Sequence, residues 1–300
     1  DIAVRADKLS KAYGKTKAID DFVIEIPKDG LTGLVGRNGS GKTTLLKLFA
    51  GRLEPGSGKV TVLGSAPLDN LPVLEEIVYA TPDRAYAKGL TLRAIMHQYG
   101  RMYPHFDLPF ARKLTDYFEL SESHKYAALS KGMAAAFNFT CALACRAAIT
   151  LLDEPTAGMD VAVRRAVYEI LLQDYSEHPR TFIVSSHLFA EIEGVLSDVI
   201  LLDHGRRVLY REIDELRQSA YCVSERGGNN LQEFIKGRDV IGFRTGELGS
   251  RAIIMEKLTA QTRGEAEARR LELSAVSAQD ICYYLTTEDK EEALSCLWKK

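Results

Sequence analysis

Gly36-Arg37-Asn38-Gly39-Ser40-Gly41-Lys42-Thr43-Thr44 is the stretch whose residue types and spacing point most directly to chemistry. It fits G-x-x-x-x-G-K-[ST], with Gly36, Gly41, Lys42 and Thr43 in the fixed places. Glycines let successive backbone N–H groups turn toward an anion, and a helix start adds partial positive charge. Asn38, Gly39, Ser40 and Thr44 fill out the cradle. Lys42 can reach β- and γ-phosphates, and the Thr43 hydroxyl can join a Mg²⁺ shell. A second constellation, Ile149-Thr150-Leu151-Leu152-Asp153-Glu154, is an apolar run that ends in two acids. Acids at a strand end are common as helix caps. Downstream of a phosphate loop they read instead as a metal carboxylate, Asp153, and a group that polarises the attacking water, Glu154.

Such side chains need strands and helices to hold them. Leu31-Thr32-Gly33-Leu34-Val35 reads as a buried strand, and Leu45, Leu46, Leu48 and Phe49 follow at helical spacing. Strand-like and helix-like segments alternate from Leu31 to about Glu212, which predicts a mostly parallel α/β core. Ahead of it, Ile2–Leu9 and Ala18–Ile26 read as two strands joined by a turn at Tyr13-Gly14-Lys15, an antiparallel patch. Leu92–Tyr103, Leu108–Phe118 and Gly132–Arg146 have helical periodicity and form an insert of about residues 88–146. Core strands resume at Ala147–Asp153, Thr181–Ser185 and Val199–Asp203, with a tight turn at His204-Gly205 into Arg206–Arg211. Residues 1–212 make one domain. Residues 213–300 make another, with strands at Ala220–Ser224, Asp239–Arg244, Arg251–Glu256 and Leu271–Ala275. Its helices fall at Leu231–Lys236, Arg263–Arg270 and Ala278–Leu285. The order β-α-β-β-α-β-α resembles a small ferredoxin-like α+β domain.

Composition narrows the class. Three hundred residues carry 39 Lys and Arg against 41 Asp and Glu, a formal net charge of -2, so bulk charge gives no sign of a nucleic-acid partner. The longest apolar candidate, Phe137–Leu152, is broken by Arg146, and no stretch is long enough to span a membrane. Asp1-Ile2-Ala3-Val4-Arg5 does not read as a signal peptide. The five cysteines form no C-x-x-C pair. Cys141 and Cys145 would share a helix face, as buried free thiols rather than metal ligands. That usage fits a reducing, cytoplasmic setting.

Leu129-Ser130-Lys131-Gly132-Met133 completes the picture. On its own it is a Ser-capped helix start. Between the phosphate loop and the two acids, it resembles the L-S-G-G-Q signature of the ATP-binding cassette (ABC) family, in the S-K-G-M variant of ABC-2-type exporter ATPases. The resemblance spans about residues 2–212 and implies a P-loop NTPase fold with ATP and Mg²⁺ as cofactors. It implies that Ser130 and Gly132 contact the γ-phosphate of ATP held by a second subunit, in a homo- or heterodimer. Ala157-Gly158-Met159-Asp160 resembles the D-loop, with Asp160 as its carboxylate. Ser185-Ser186-His187 resembles the switch that brings His187 to the γ-phosphate. Tyr13 stands where the family places an aromatic on adenine. The pattern departs at Tyr79-Ala80-Thr81-Pro82-Asp83, where Asp83 replaces the usual Gln. Asp83 could still bind a metal water, but the linkage between nucleotide and membrane partner is then in question. Met133 likewise replaces a polar signature residue.

Tyr86, Tyr99, Tyr103, His105, Phe106 and Phe110 divide between core packing and a groove for a partner helix. His178-Pro179-Arg180-Thr181, the signature variant and the C-terminal domain together resemble exporter ATPases encoded beside GntR-type regulators, some of which move antimicrobial or toxic peptides. The reading is a transport ATPase on the inner face of the cell membrane, working with a separate permease to export peptides, toxins or drugs. The alternative is a soluble or regulatory ABC protein without a permease. One motif set and an insert of about fifty residues favour the transporter subunit.

Overall fold

A computed structural model of the protein describes residues 1–82, 84–228, 230–246 and 249–287. Contacts divide the chain into two units, one ending at Tyr210 and the other beginning at Arg211.

In the first unit, β1 (Ile2–Tyr13) and β2 (Thr16–Pro27) outrun the predicted strands and pair antiparallel. Gly14 supplies the left-handed turn at φ 58°. β3 (Leu31–Val35) is buried throughout and leads through the glycine loop into α1 (Lys42–Phe49). Leu45, Leu46, Leu48 and Phe49 of α1 are fully covered. At about 1.5–3 kcal/mol for each such side chain, this burial outweighs the roughly 0.5–1 kcal/mol that each ordered glycine ahead of it costs. β4 (Ser57–Val62) was not legible as a strand and adds to the other edge of β1, giving the sheet order β2-β1-β4.

Short α2 (Leu71–Leu74) precedes β5 (Ile77–Ala80). The insert follows as α3 (Leu92–Met102), α4 (Leu108–Tyr117) and α5 (Lys131–Ala144), started by side-chain caps from Thr91, Asp107 and Ser130 respectively. β6 (Ile149–Asp153), α6 (Val161–Glu177), β7 (Thr181–Ser186), α7 (Phe189–Ile192), β8 (Asp198–Asp203) and β9 (Arg206–Glu212) complete the core. The sheet order is β5-β6-β7-β3-β8-β9, with β5, β6, β7, β3 and β8 parallel. His204 (φ 44°) and Gly205 (φ 77°) turn the chain from β8 to β9, both in the left-handed region that a two-residue hairpin favours. A shared core of Ile24, Ile26, Leu46, Phe49, Leu151 and Ile183 joins the antiparallel sheet to this parallel one. The loops at the carboxyl ends of β3, β6 and β7 carry the functional candidates, as open α/β sheets favour.

The second unit contains α8 (Ile213–Gln218), β10 (Tyr221–Glu225), α9 (Asn230–Phe234), β11 (Val240–Gly246), β12 (Gly249–Ile254), α10 (Ala260–Ala268), β13 (Glu272–Ala275) and α11 (Ala278–Leu285). Its antiparallel sheet has the order β11-β12-β10-β13, the ferredoxin-like arrangement. Tyr221, Val223, Leu231, Phe234, Ile254 and Leu271 form its core. Glu225 accepts from the backbone N–H of Asn230 (3.2 Å) and Leu231 (3.0 Å), which anchors the start of α9.

Candidate functional site

Gly41 stands at the N-cap of α1 with φ 109°, and a Cβ there would run into the carbonyl oxygen of Ala18 on β2. Glycine is therefore required by both backbone conformation and close approach. No side chain caps α1, so its first-turn N–H groups are left for a ligand. Lys42 folds back over the loop. Its Nζ donates to the carbonyls of Gly36 (2.7 Å) and Arg37 (3.2 Å) and lies 3.7 Å from Glu154 Oε1. Burial pushes its amine below the usual lysine range, opposed by the charges of Glu154 and Asp153. Ser40 Oγ is buried without a hydrogen-bond partner among the described residues. Asn38, Gly39 and Thr43 are exposed, whereas Gly36 and Thr44 are half-buried.

β6 delivers the two acids. Asp153 is buried, and each of its oxygens accepts a hydrogen bond: Oδ1 from Ser185 Oγ (2.7 Å) and Oδ2 from Tyr79 OH (3.0 Å). Glu154 adopts φ 48°, a left-handed conformation that costs a non-glycine residue about 1–3 kcal/mol and often marks functional sites. Its N–H donates to Ser185 Oγ (2.9 Å), which helps hold that turn. Its Oε2 is 2.7 Å from His187 Nδ1. Lys42, Glu154 and His187 are therefore brought together, with a carboxylate bridging an ammonium and an imidazole. Ser185 and Tyr79 join this group although sequence reasoning assigned them no role. The only signal was their place inside the strings Ser185-Ser186-His187 and Tyr79-Ala80-Thr81-Pro82.

The remaining candidates gather elsewhere. Ser130 Oγ accepts from Met133 N (3.3 Å), and Asp160 Oδ1 accepts from Val163 N (3.0 Å), each capping a helix. A Cβ on Gly132 would stand 2.7 Å from the carbonyl oxygen of Gly158. Ser130, Gly132, Met133 and Asp160 line one cavity of about 490 Å³ together with Tyr117 and Met159. No hydrogen bond or ion pair joins this group to Lys42, Glu154 or His187 among the described residues. Tyr13 ends β1 half in solvent. Asp83 lies outside the described residues.

Of the aromatic set, Tyr99 and Tyr103 are buried, Tyr86, Phe106 and Phe110 are half-buried, and His105 is exposed. Tyr99 stacks on Tyr103 and Phe106, with ring centroids 5.9 and 5.8 Å apart, and Tyr103 OH donates to the carbonyl of Ile77 (3.2 Å). Arg84 sits over the rings of Tyr86 and Tyr99. Tyr103 also borders a groove of about 420 Å³ with Arg52, Leu71, Leu74, Tyr79 and Met102. Tyr86, His105, Phe106 and Phe110 are not among its lining residues. Cys141 and Cys145 are buried free thiols, and burial holds both well above the usual thiol range.

Comparison with known proteins gives the family. The family model described as ABC transporter matches residues 19–157. The ABC transporter ATP-binding protein YtrB of Bacillus subtilis is 30% identical over 211 residues, covering 70% of this chain and 72% of that protein. A daunorubicin resistance ATP-binding protein of Streptomyces coeruleorubidus is 26% identical over 87% of this chain and 80% of its own length. Among solved structures, an ATP binding subunit of an ABC transporter superposes with a TM-score of 0.64 at 22% identity, covering 72% of this chain and 92% of that one. A dimeric cassette, MJ0796, in a post-hydrolysis state bound to ADP and Pi gives a TM-score of 0.62 at 21% identity, over 70% and 98%. The two structures share the fold; the sequence relationship carries the family, and the chain belongs to the ATP-binding ATPase subunits of the ABC transporters.

Proposed function

We propose that two copies of this chain clamp Mg-ATP between them and use its hydrolysis to drive a separate membrane permease in export. The observation that carries this reading is the Lys42–Glu154–His187 cluster beside the uncapped start of α1. It sets a cation for the β- and γ-phosphates, a carboxylate to polarise the attacking water and an imidazole for the γ-phosphate side by side. Gly36, Asn38, Gly39, Ser40, Gly41 and Thr44 cradle the phosphates, and Tyr13 stacks on adenine.

Thr43 and Asp153 fit Mg²⁺. The Thr43 side chain lies open to solvent in the first turn of α1, and Asp153 keeps lone pairs beyond those engaged by Ser185 and Tyr79. Among the described residues, no group of three or more His, Cys, Asp or Glu side chains could hold a metal ion. This suits an ion that takes most of its ligands from water and substrate phosphate. Bound there, it would neutralise charge developing on the phosphate oxygens.

Ser130, Gly132 and Asp160 face the nucleotide of the second copy. The phosphate charge is fully compensated only when both halves meet. Cleavage replaces one bridging anion with two separable ones, and the pair opens. The groove bordered by Arg52, Leu71 and Met102 accepts a permease segment, with Asp83 close in sequence to its Tyr79 wall. No helix among the described residues is long and apolar enough to cross a membrane. In this reading the chain works on the inner face of the membrane through its permease. Export of peptides, toxins or drugs is supported by relatives named for Nod factor export and daunorubicin resistance.

Lys42→Ala should abolish ATP binding or turnover in a variant that remains folded, and wild-type ATPase activity in that variant would overturn the assignment. The permease is tested by co-expressing the neighbouring membrane gene. Retention of the chain on washed membranes supports the transporter, whereas full recovery in the soluble fraction favours a free-standing ABC protein.

A further inference from the structure

Asp153 is held from both sides of its own strand. β6 lies between β5 and β7, and Ser185 of β7 stands level with Asp153 in the ladder. Tyr79 of β5 stands level with Leu151, two residues lower. That offset is about 6–7 Å along the strand, and the tyrosine ring spans it to bring its hydroxyl 3.0 Å from Asp153 Oδ2. The ring has little freedom. Tyr79 is buried, and the Arg52 guanidinium lies 5.0 Å from its centroid. The hydroxyl is the donor of the pair, because a carboxylate oxygen can only accept.

We propose that Tyr79 is a positioning residue for the metal carboxylate, fixing Asp153 in the single orientation in which it meets Mg²⁺ and its water. A carboxylate offers about four lone-pair sites. Ser185 and Tyr79 take one on each oxygen and leave the others in fixed directions. Groups that orient a metal ligand from behind are worth about 10–100-fold in metal affinity. The hydroxyl contributes at that level, while the ring contributes packing that phenylalanine would preserve. The inference rests on Asp153 being the metal carboxylate.

Equilibrium Mn²⁺ binding to the protein–ADP complex, read by the electron spin resonance of free Mn²⁺, separates the two claims. Wild type, Tyr79→Phe and Asp153→Asn are compared, with ADP affinity also measured in EDTA. Tyr79→Phe should weaken Mn²⁺ about tenfold or more with metal-free ADP affinity within about twofold of wild type, and Asp153→Asn should weaken Mn²⁺ at least as much. A general packing defect would lower metal-free ADP affinity as well, and that result overturns the positioning role. Mn²⁺ affinity of Tyr79→Phe within about twofold of wild type, with Asp153→Asn impaired, overturns the role of Tyr79 and leaves Asp153 in place. An unimpaired Asp153→Asn removes the metal carboxylate itself, and the proposal with it. Should the Phe variant not fold, Tyr79→Met also lacks the hydroxyl and is read against the same outcomes.

Discussion

Replacing Glu154 with glutamine should separate ATP binding from ATP cleavage. The Glu154 carboxylate lies 3.7 Å from Lys42 Nζ and 2.7 Å from His187 Nδ1. At an effective dielectric of about 20, two unit charges at this separation attract by ~4 kcal/mol before desolvation is subtracted. An incoming γ-phosphate must compete with that attraction for Lys42 and also meets a like charge. Glutamine keeps the size and a polar contact to His187 but removes both obstacles, so ATP should bind as tightly as in wild type or up to about tenfold more tightly. Glutamine is also a far poorer base. Losing a positioned general base costs about 10²–10⁴ in rate, equivalent to about 2.7–5.4 kcal/mol of barrier. The Lys42 amine should move further below its ordinary range, because burial would then be opposed by Asp153 without Glu154. Phosphate release gives the turnover rate, and equilibrium titration with a fluorescent ATP analogue gives the affinity. Turnover within about threefold of wild type would refute Glu154 as the base, whereas a tenfold loss of ATP affinity would refute the competition for Lys42.

Ser130→Asp should leave the cap on α5 intact, since aspartate caps about as well as serine, and the melting temperature should stay within about 2 °C. In the Glu154→Gln background it should nonetheless abolish the ATP-dependent dimer seen by size-exclusion chromatography, because it sets a negative charge against the partner's γ-phosphate; a persisting dimer would place Ser130 away from the nucleotide. Asp174→Asn should destabilise the first unit by about 3–5 kcal/mol, the usual cost of breaking a buried ion pair. Asp174 is buried between Arg146 and Arg180 and accepts from Arg180 Nη2 at 2.7 Å. At about 2–4 °C per kcal/mol, calorimetry should record a fall of roughly 6–20 °C, and a fall under about 3 °C would contradict the buried pairing.

What the sequence disclosed was whatever depends on short spacing. Gly36–Thr44 carries its strand and helix beside it, and Asp153 and Glu154 end an apolar run, so both were readable without a third dimension. Ser130 was readable as a cap, and α5 begins where it stands; that Asp160 caps α6 was not read from the sequence. The hidden features are lateral. Tyr79 and Asp153 are 74 residues apart in sequence and meet only because β5 and β6 are neighbours at a particular register. Arg146 looked like an interruption of an apolar run and Arg180 like part of a short string, yet both converge on Asp174. β4 was missed because Ser57-Gly58-Lys59 opens it with no apolar residue, and its partner β1 supplies the order. Of the aromatics of the insert only Tyr103 reaches the groove, while Tyr99 packs inside, a difference set by the direction in which a helix presents each side chain and left open by spacing alone.

The same lateral logic bears on how the chain handles its own charges. Lys42 is buried, and two loop carbonyls and Glu154 already engage its ammonium. If Lys42 takes the phosphate as proposed, nucleotide binding would be an exchange of partners, and its net gain would be smaller than that of a bare ammonium–phosphate contact. The carboxylate displaced from Lys42 still has His187 at 2.7 Å, so it is not left unpaired. On the roles proposed above, Glu154 would lose its contact with Lys42 as phosphate arrives and keep that with His187, which would free its Oε1 for the attacking water. With Glu154 as the proposed base, such a site would keep it occupied until substrate is present and so tie hydrolysis to binding through two contacts of a single side chain.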